Sequence, residues 1–238
     1  MNLLAISTST PRWSVWLHRQ DGWQRAAEAD AGRGTGQRAS LTRMVWNLLA
    51  EAGIQPGELQ RVVADTGPGS FTGLRQGLAL ARALAWAHAT PTHGVSSLHA
   101  MTLTAQPLLQ PKDTLAVALA ARVDVDFVGL LRDGALVERV LCAADSLAWW
   151  QANRPNVLGI PEGDHGRALA QLALSQGARL LSVHPDAEAM GRWSLAQPDA
   201  SSDLAPRYLA VSEAEHHAGV AVPEVTLEAF DRNRSASA

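Results

Sequence analysis

Two stretches of the sequence, one starting at Leu3 and the other at Leu115, pass through the same signals in the same order. Leu3–Ser7 is a short apolar run and Ser14–His18 alternates as a strand does. Asp21–Gly22 is a hairpin signal, and Trp23–Ala29 returns. In the second stretch Leu115–Ala121, Asp126–Arg132, the Asp133–Gly134 turn and Ala135–Cys142 repeat that pattern, with the same interval from first apolar residue to turn. Each half then continues as helix, strand, helix. The first has a helix over about Ser40–Ala52 stopped by Gly53, a strand over Arg61–Asp65, and a long helix to about Ala89, ended by Pro91. The second has a helix over Ser146–Asn153, a strand over Asn156–Ile160, a helix over Gly163–Gln176 and a strand over Ala178–Val183. Duplication on this scale means two similar subdomains, because solenoid repeats are shorter.

Three strands, a helix, a strand and a helix, twice over, predict an α/β chain with a duplicated ribonuclease H-like core, the two-lobe plan of the actin, Hsp70 and sugar-kinase superfamily. The expected boundaries are an N-terminal lobe over 1–106, a C-terminal lobe over 107–222, and a poorly ordered tail over 223–238 ending in RNRSASA. With 238 residues, 47% of them apolar and 18% charged, the chain has material for such a core. The single cysteine, Cys142, excludes an internal disulfide framework and fits a reducing compartment. MNLLAISTSTPRW has neither the basic start nor the long apolar run of a secretory signal, and no apolar run approaches the ~20 residues of a membrane helix. The expectation is a soluble cytoplasmic protein without a membrane role. A formal charge of −3 argues against strong direct binding to nucleic acid, which needs a basic face.

GPGSFTGLRQGLALARALAWA, Gly67–Ala87, admits two readings. Glycines ahead of a helix can cradle a phosphate on free backbone N–H groups. They can also be what a strand needs to turn sharply into a helix, with Ser70 or Thr72 as the N-cap. The stretch fails the Walker pattern, since no Gly-Lys-Ser/Thr follows at the required spacing, and Lys112, the chain's one lysine, lies in a proline-flanked loop. Asp65 is the one carboxylate adjacent. Gly73 and Gly77 cost about 1 kcal/mol each against alanine in a helix, so close approach of another backbone should offset them. Further along, Arg75, Ala79, Arg82 and Trp86 fall on one stripe, and arginine and tryptophan are enriched at interface hot spots. In the first helix Leu41, Val45, Leu48 and Ala52 form a core stripe, leaving Trp46 and Leu49 on a flanking face. The residues alone leave open whether these outer faces meet a partner or the chain's own elements.

LLAISTST, GPGSFTGLRQGLALARALA, GVSSL at Gly94–Leu98 and PRYLA at Pro206–Ala210 resemble the TsaB (YeaZ) family, most specifically through the glycine motif and its helix. That resemblance implies the actin-like fold. It also implies the role of a non-catalytic dimerisation subunit in the bacterial complex that makes threonylcarbamoyladenosine in tRNA. A TsaD-type catalytic subunit would be the partner, and a TsaE-type ATPase is expected in the same complex. The chain would form a homodimer when alone and meet tRNA only through the complex. The helices of the N-terminal lobe are what this family uses for pairing, which points to Trp46, Leu49, Arg75, Ala79, Arg82 and Trp86 as the partner surface.

The sequence departs from the family pattern where phosphate chemistry would sit. Actin-like ATPases hold magnesium and phosphates with carboxylates at equivalent strand ends, and negative charge supplies most of that affinity. Here Ser7 takes the first position and the second half reads Ala118-Leu119-Ala120-Ala121-Arg122, so both positions are neutral. Gln37 replaces a histidine that often opens the first helix region. Ser7, Thr8, Gly67, Gly69, Ser70, Thr72 and Gly73 are therefore expected as a vestigial nucleotide or phosphate loop, without catalytic residues and without a cofactor. The alternative is an ATP-binding phosphotransferase or ATPase of the same superfamily.

Other patterns carry less. The eight histidines, including His88, His93 and His216–His217, form neither HExxH nor HxxxH, so no metal site is expected. The related catalytic subunit carries such a metal pair. Ser70 is not in the Gly-x-Ser-x-Gly setting of a nucleophile. Trp149–Trp150 suit packing in the second lobe better than base stacking, for want of a basic groove.

Overall fold

A computed structural model describes residues 1–31, 40–197, 202–207 and 225–226. Gln37, His216–His217, the last three residues of PRYLA and nearly all of the expected tail lie outside them. The chain divides into two units, Met1–Thr104 with His184–Arg207, and Ala105–Val183 with Tyr208–Ala238. The expected lobe boundary near residue 106 differs from this division in one large respect. His184–Arg207, placed by sequence in the second lobe, belongs to the first.

The first unit is built on a five-stranded sheet of β1 (Leu3–Ser7), β2 (Arg12–His18), β3 (Gln24–Asp30), β4 (Arg61–Asp65) and β5 (Thr92–Val95). The spatial order is β3-β2-β1-β4-β5, with β1, β2 and β3 antiparallel and β4 and β5 running parallel to β1. One face packs on α1 (Leu41–Ala52) and α2 (Phe71–His88), through Leu4, Ile6, Val15, Leu17 and Val62 against Leu41, Val45, Leu48, Leu78 and Ala81. The other face, from Leu3, Ala5, Trp16, Val63 and Val95, packs on Ala100 of α3 (Ser97–Ala105) and on Ala187 and Met190 of α6 (Ala187–Leu195). Helices on both faces explain why LLAIS and RVVAD read as continuous buried runs instead of alternating ones.

The second unit repeats the plan. Its strands are β6 (Leu115–Arg122), β7 (Val125–Arg132), β8 (Ala135–Cys142), β9 (Val157–Ile160), β10 (Arg179–Ser182) and β11 (Val225–Thr226). The order β10-β9-β6-β7-β8, with β11 added beyond β8, is the order of the first sheet read from the other edge. Trp149 and Trp150 of α4 (Ala143–Asn153) and Leu169, Ala170 and Ala173 of α5 (Ala168–Ser175) cover one face, so the tryptophan pair is core. The duplicated actin-like fold thus follows from the sheets themselves.

Local chemistry sets the ends. Ser40 caps α1 by accepting from Arg43 N, and Gly53 closes it at φ 67°, with Ile54 N–H donating to Leu49 O at 3.1 Å. The helix expected over Gly163–Gln176 is shorter than its pattern. Gly163 (φ 96°) opens a single 3₁₀ turn over Asp164–Gly166, and extended Arg167 separates that turn from α5.

The helix α6 was not anticipated at all. Asp186 caps it by accepting from Ala189 N, and Gly191 lets it lie directly on the ring of Trp16, where a Cβ would overlap the indole.

Candidate functional site

The glycine loop packs closely on the chain's own backbone. Asp65, at the end of β4, is buried and accepts hydrogen bonds from Ser7 Oγ (2.9 Å), Thr8 N (3.1 Å to Oδ1) and Ser9 N (3.0 Å). Burial pushes its carboxyl above the usual carboxylate range, while the donors of the Ser7–Ser9 turn pull it back. Ser7 Oγ donates to Asp65 and also contacts Pro185 O at 3.0 Å. The one carboxylate beside the loop is thus spent on holding the turn after β1.

That turn lies on the first two turns of α2. Ser70 N–H donates to Ser9 O at 2.6 Å, and Ser70 Oγ accepts from Gly73 N at 3.2 Å, making Ser70 and not Thr72 the N-cap. A Cβ on Gly73 would overlap Thr8 O, one on Gly77 would overlap Thr8 Oγ1, and one on Gly69 would overlap Ser9 O. On the other side Arg207 N–H donates to Thr66 O at 2.7 Å, and Arg207 O lies 3.0 Å from where a Gly67 Cβ would stand. Gly67 itself has φ 100°, a left-handed value that favours glycine. The glycines therefore admit close approach of the Thr8–Ser9 turn and of Arg207. Ser7, Thr8, Gly67, Gly69, Ser70 and Gly73 lie together in a packed strand-to-helix joint, with exposed Thr72 at its rim.

In the second unit the equivalent strand end is arranged differently. Ala120 is exposed, and its partner across the β6–β7 ladder is Asp126. Burial raises the Asp126 carboxyl, and Arg167 lowers it again through an ion pair of 2.8 Å. The same guanidinium donates to Arg122 O (2.9 Å) and Val125 O (3.2 Å). Neither residue stood out in the sequence, because Asp126 lies six positions from Ala120 in the chain and meets it only through the hairpin register.

The outward face of α2 is the other feature of the first unit. Arg75, Ala79, Arg82 and Trp86 are all exposed, and Trp86 keeps 89% of its surface. Phe71, one turn before Arg75, extends the stripe. It is 51% exposed, with the Arg75 guanidinium 3.8 Å from its ring centroid. Its i, i−4 spacing from Arg75 was the signal available in the sequence. Arg82 Nη2 donates to Leu204 O at 2.9 Å. Trp46 on α1 is 46% exposed, but Leu49, expected beside it, is only 3% exposed. It sits in the core with Val45 and Leu48, because the buried arc of α1 is wider than the stripe 41, 45, 48, 52 alone. Leu49 is therefore removed from the accessible surface. Among the described residues no helix is long and apolar enough to cross a membrane.

A family profile described as TsaD, tRNA N6-adenosine threonylcarbamoyltransferase, matches residues 37–128. The chain is 35% identical over 101 residues to the tRNA threonylcarbamoyladenosine biosynthesis protein TsaB of Bacillus subtilis, covering 42% of this chain and 43% of that one. It is 32% identical over 136 residues to the protein of the same name in Haemophilus influenzae, covering 56% and 55%. The chain spans about half the length of the curated relatives it matches. A solved structure, YeaZ from Pseudomonas aeruginosa, superposes with a TM-score of 0.66 at 25% identity, over 87% of this chain and 99% of that one. Alongside the duplicated fold and the glycine joint already described, the chain is thus similar to the TsaB/YeaZ proteins over these stretches.

Proposed function

We propose that this chain acts in the formation of threonylcarbamoyladenosine in tRNA as a non-catalytic subunit that binds and activates a TsaD-type transferase. The observation that carries the reading is the outward face of α2, where Phe71, Arg75, Ala79, Arg82 and Trp86 stand exposed on a helix whose N-terminal joint is sealed. Exposed aromatic and arginine side chains around a small residue are the composition of an interface hot spot. The names of the TsaB relatives supply the pathway, and the net charge of −3 favours contact with tRNA through the complex. With no partner present, the same face would pair two copies about a two-fold axis.

The test is co-purification with the transferase subunit, with a TsaE-type ATPase added, followed by assay of tRNA modification. Stable association and modification that depends on this chain are expected. No association with the transferase, with or without the ATPase, would contradict the reading. The alternative, an ATP-dependent phosphotransferase or ATPase, is disfavoured by the neutral Ser7 and Ala120 and by the engagement of Asp65. It predicts a rise in melting temperature with ATP and magnesium and sustained phosphate release, neither of which the proposed role requires.

A further inference from the structure

We infer that the first unit carries a divalent transition-metal site formed by Glu28, His184 and Asp186. One candidate ligand atom from each of the three lies within 4.8 Å of the other two. The residues are brought together by the fold. Glu28 on β3 is the ladder partner of Ser14 on β2, and Ser14 Oγ accepts from Ala187 N at 2.9 Å. That bond anchors the start of α6, and with it His184 and Asp186, over the edge of the sheet.

The orphaned atom is His184 Nε2. It is enclosed and has no hydrogen-bond partner among the described residues; Glu28 Oε1, 3.6 Å away, is beyond hydrogen-bond length. Leaving a buried polar nitrogen unpaired is costly, and a bound cation satisfies it. Each carboxylate is already oriented by its second oxygen. Glu28 Oε2 accepts from Arg12 at 2.6 and 3.2 Å, and Asp186 Oδ2 accepts from Ala189 N at 3.1 Å. Arg12 is the one opposing charge in these contacts, and it engages the Glu28 oxygen that does not face the imidazole. One imidazole and two carboxylates, with water completing the shell, make a zinc-type set, because imidazole selects against magnesium and calcium. Bonds of about 2.0–2.2 Å require the three groups to close by on the order of 1 Å.

The experiment is calorimetric titration of the metal-stripped full chain with Zn²⁺, alongside its melting temperature. One ion per chain at micromolar affinity is expected, with a rise in melting temperature. Binding should weaken at least about tenfold in His184→Ala and in Glu28→Gln, the scale on which losing a ligand or its support acts. Glu28 is exposed on an edge strand, so Glu28→Gln keeps the fold and the test if His184→Ala does not fold. Absence of binding at 100 µM Zn²⁺, on the scale of a weak site, would overturn the proposal. So would unchanged affinity in Glu28→Gln, which would place the ion on other histidines, or displacement of Zn²⁺ by equimolar Mg²⁺.

Discussion

The two units share a strand order and differ at the end of their first strands. In the first, Ser7 and Asp65 are buried together and the carboxylate is held by the backbone of the following turn, with a helix pressed close behind it. In the second, Ala120 is exposed, Asp126 stands opposite, and Arg167, just before α5, neutralises it. The fold thus tolerates two arrangements beside the end of this strand, one held by backbone donors and one by a side-chain ion pair. The backbone version costs more to disturb, because one buried carboxylate accepts from Ser7 Oγ, Thr8 N and Ser9 N together.

The largest expected effect follows directly. Asp65→Ala would leave Thr8 N, Ser9 N and Ser7 Oγ without their acceptor and should destabilise the first unit by about 3–5 kcal/mol. Asp126→Ala should cost about 1–2 kcal/mol, because its partner Arg167 keeps two backbone acceptors. Denaturant unfolding of both variants checks the contrast, and equal losses would erase the distinction between the two strand ends.

The glycines sharpen it further. Gly73→Ala sets a Cβ against Thr8 O and should cost about 2–4 kcal/mol through forced displacement of the turn. Gly166, in the corresponding stretch of the second unit, has open space around it, and Gly166→Ala should change stability by less than about 0.5 kcal/mol. Thermal melts of the two variants give this comparison.

The strands and their turns were legible in the sequence because period-2 patterning and Asp-Gly turns are local signals, and the duplication doubled them. The α1 cap at Ser40 and stop at Gly53 were legible for the same reason. What the sequence did not disclose depends on contacts distant in the chain. AEAMGRWSL has its small residues fitted to Trp16, some 175 positions earlier, so its destination in the first unit has no local mark. The loop at Gly67–Gly73 carried the right residues for two opposite uses, and only the position of Thr8 and Ser9 separates them. Leu49 shows the limit of a stripe argument, since a modest widening of the buried arc moves a residue from surface to core.

A third prediction concerns pH. Burial lowers His93 to about 4, aided by the nearby charge of Arg61, and lowers His99 to about 4, aided by His93 and Arg207. Both pack on Trp193 within the first unit, with centroids 4.8 Å apart. A base with a depressed folded pKa stays neutral in the folded protein while the unfolded chain takes up a proton below about 6.5. Its contribution is therefore complete above pH 6.5 and is lost as pH falls toward 4, by on the order of 2–3 kcal/mol in all after allowance for solvent. Asp65, raised by burial, acts in the opposite sense as pH rises above the ordinary aspartate value. Melting temperatures between pH 7 and 4 should fall, and His99→Gln should flatten part of the fall. A flat profile in the parent protein would contradict the burial argument.

The most direct test of the central claim, that the first unit closes its ancestral loop and turns the outer face of the following helix into a partner surface, is the mass of the Ala79→Arg protein in solution. Ala79 is exposed between Arg75 and Arg82, so an added guanidinium should shift stability by less than about 0.5 kcal/mol. In a desolvated contact the same guanidinium adds bulk and like charge on the scale of a hot-spot loss. Sedimentation velocity should show a dimer for the parent chain and a monomer for Ala79→Arg with an unchanged melting temperature. A parent chain that stays monomeric at high concentration, or an Ala79→Arg protein that still dimerises, would contradict the account.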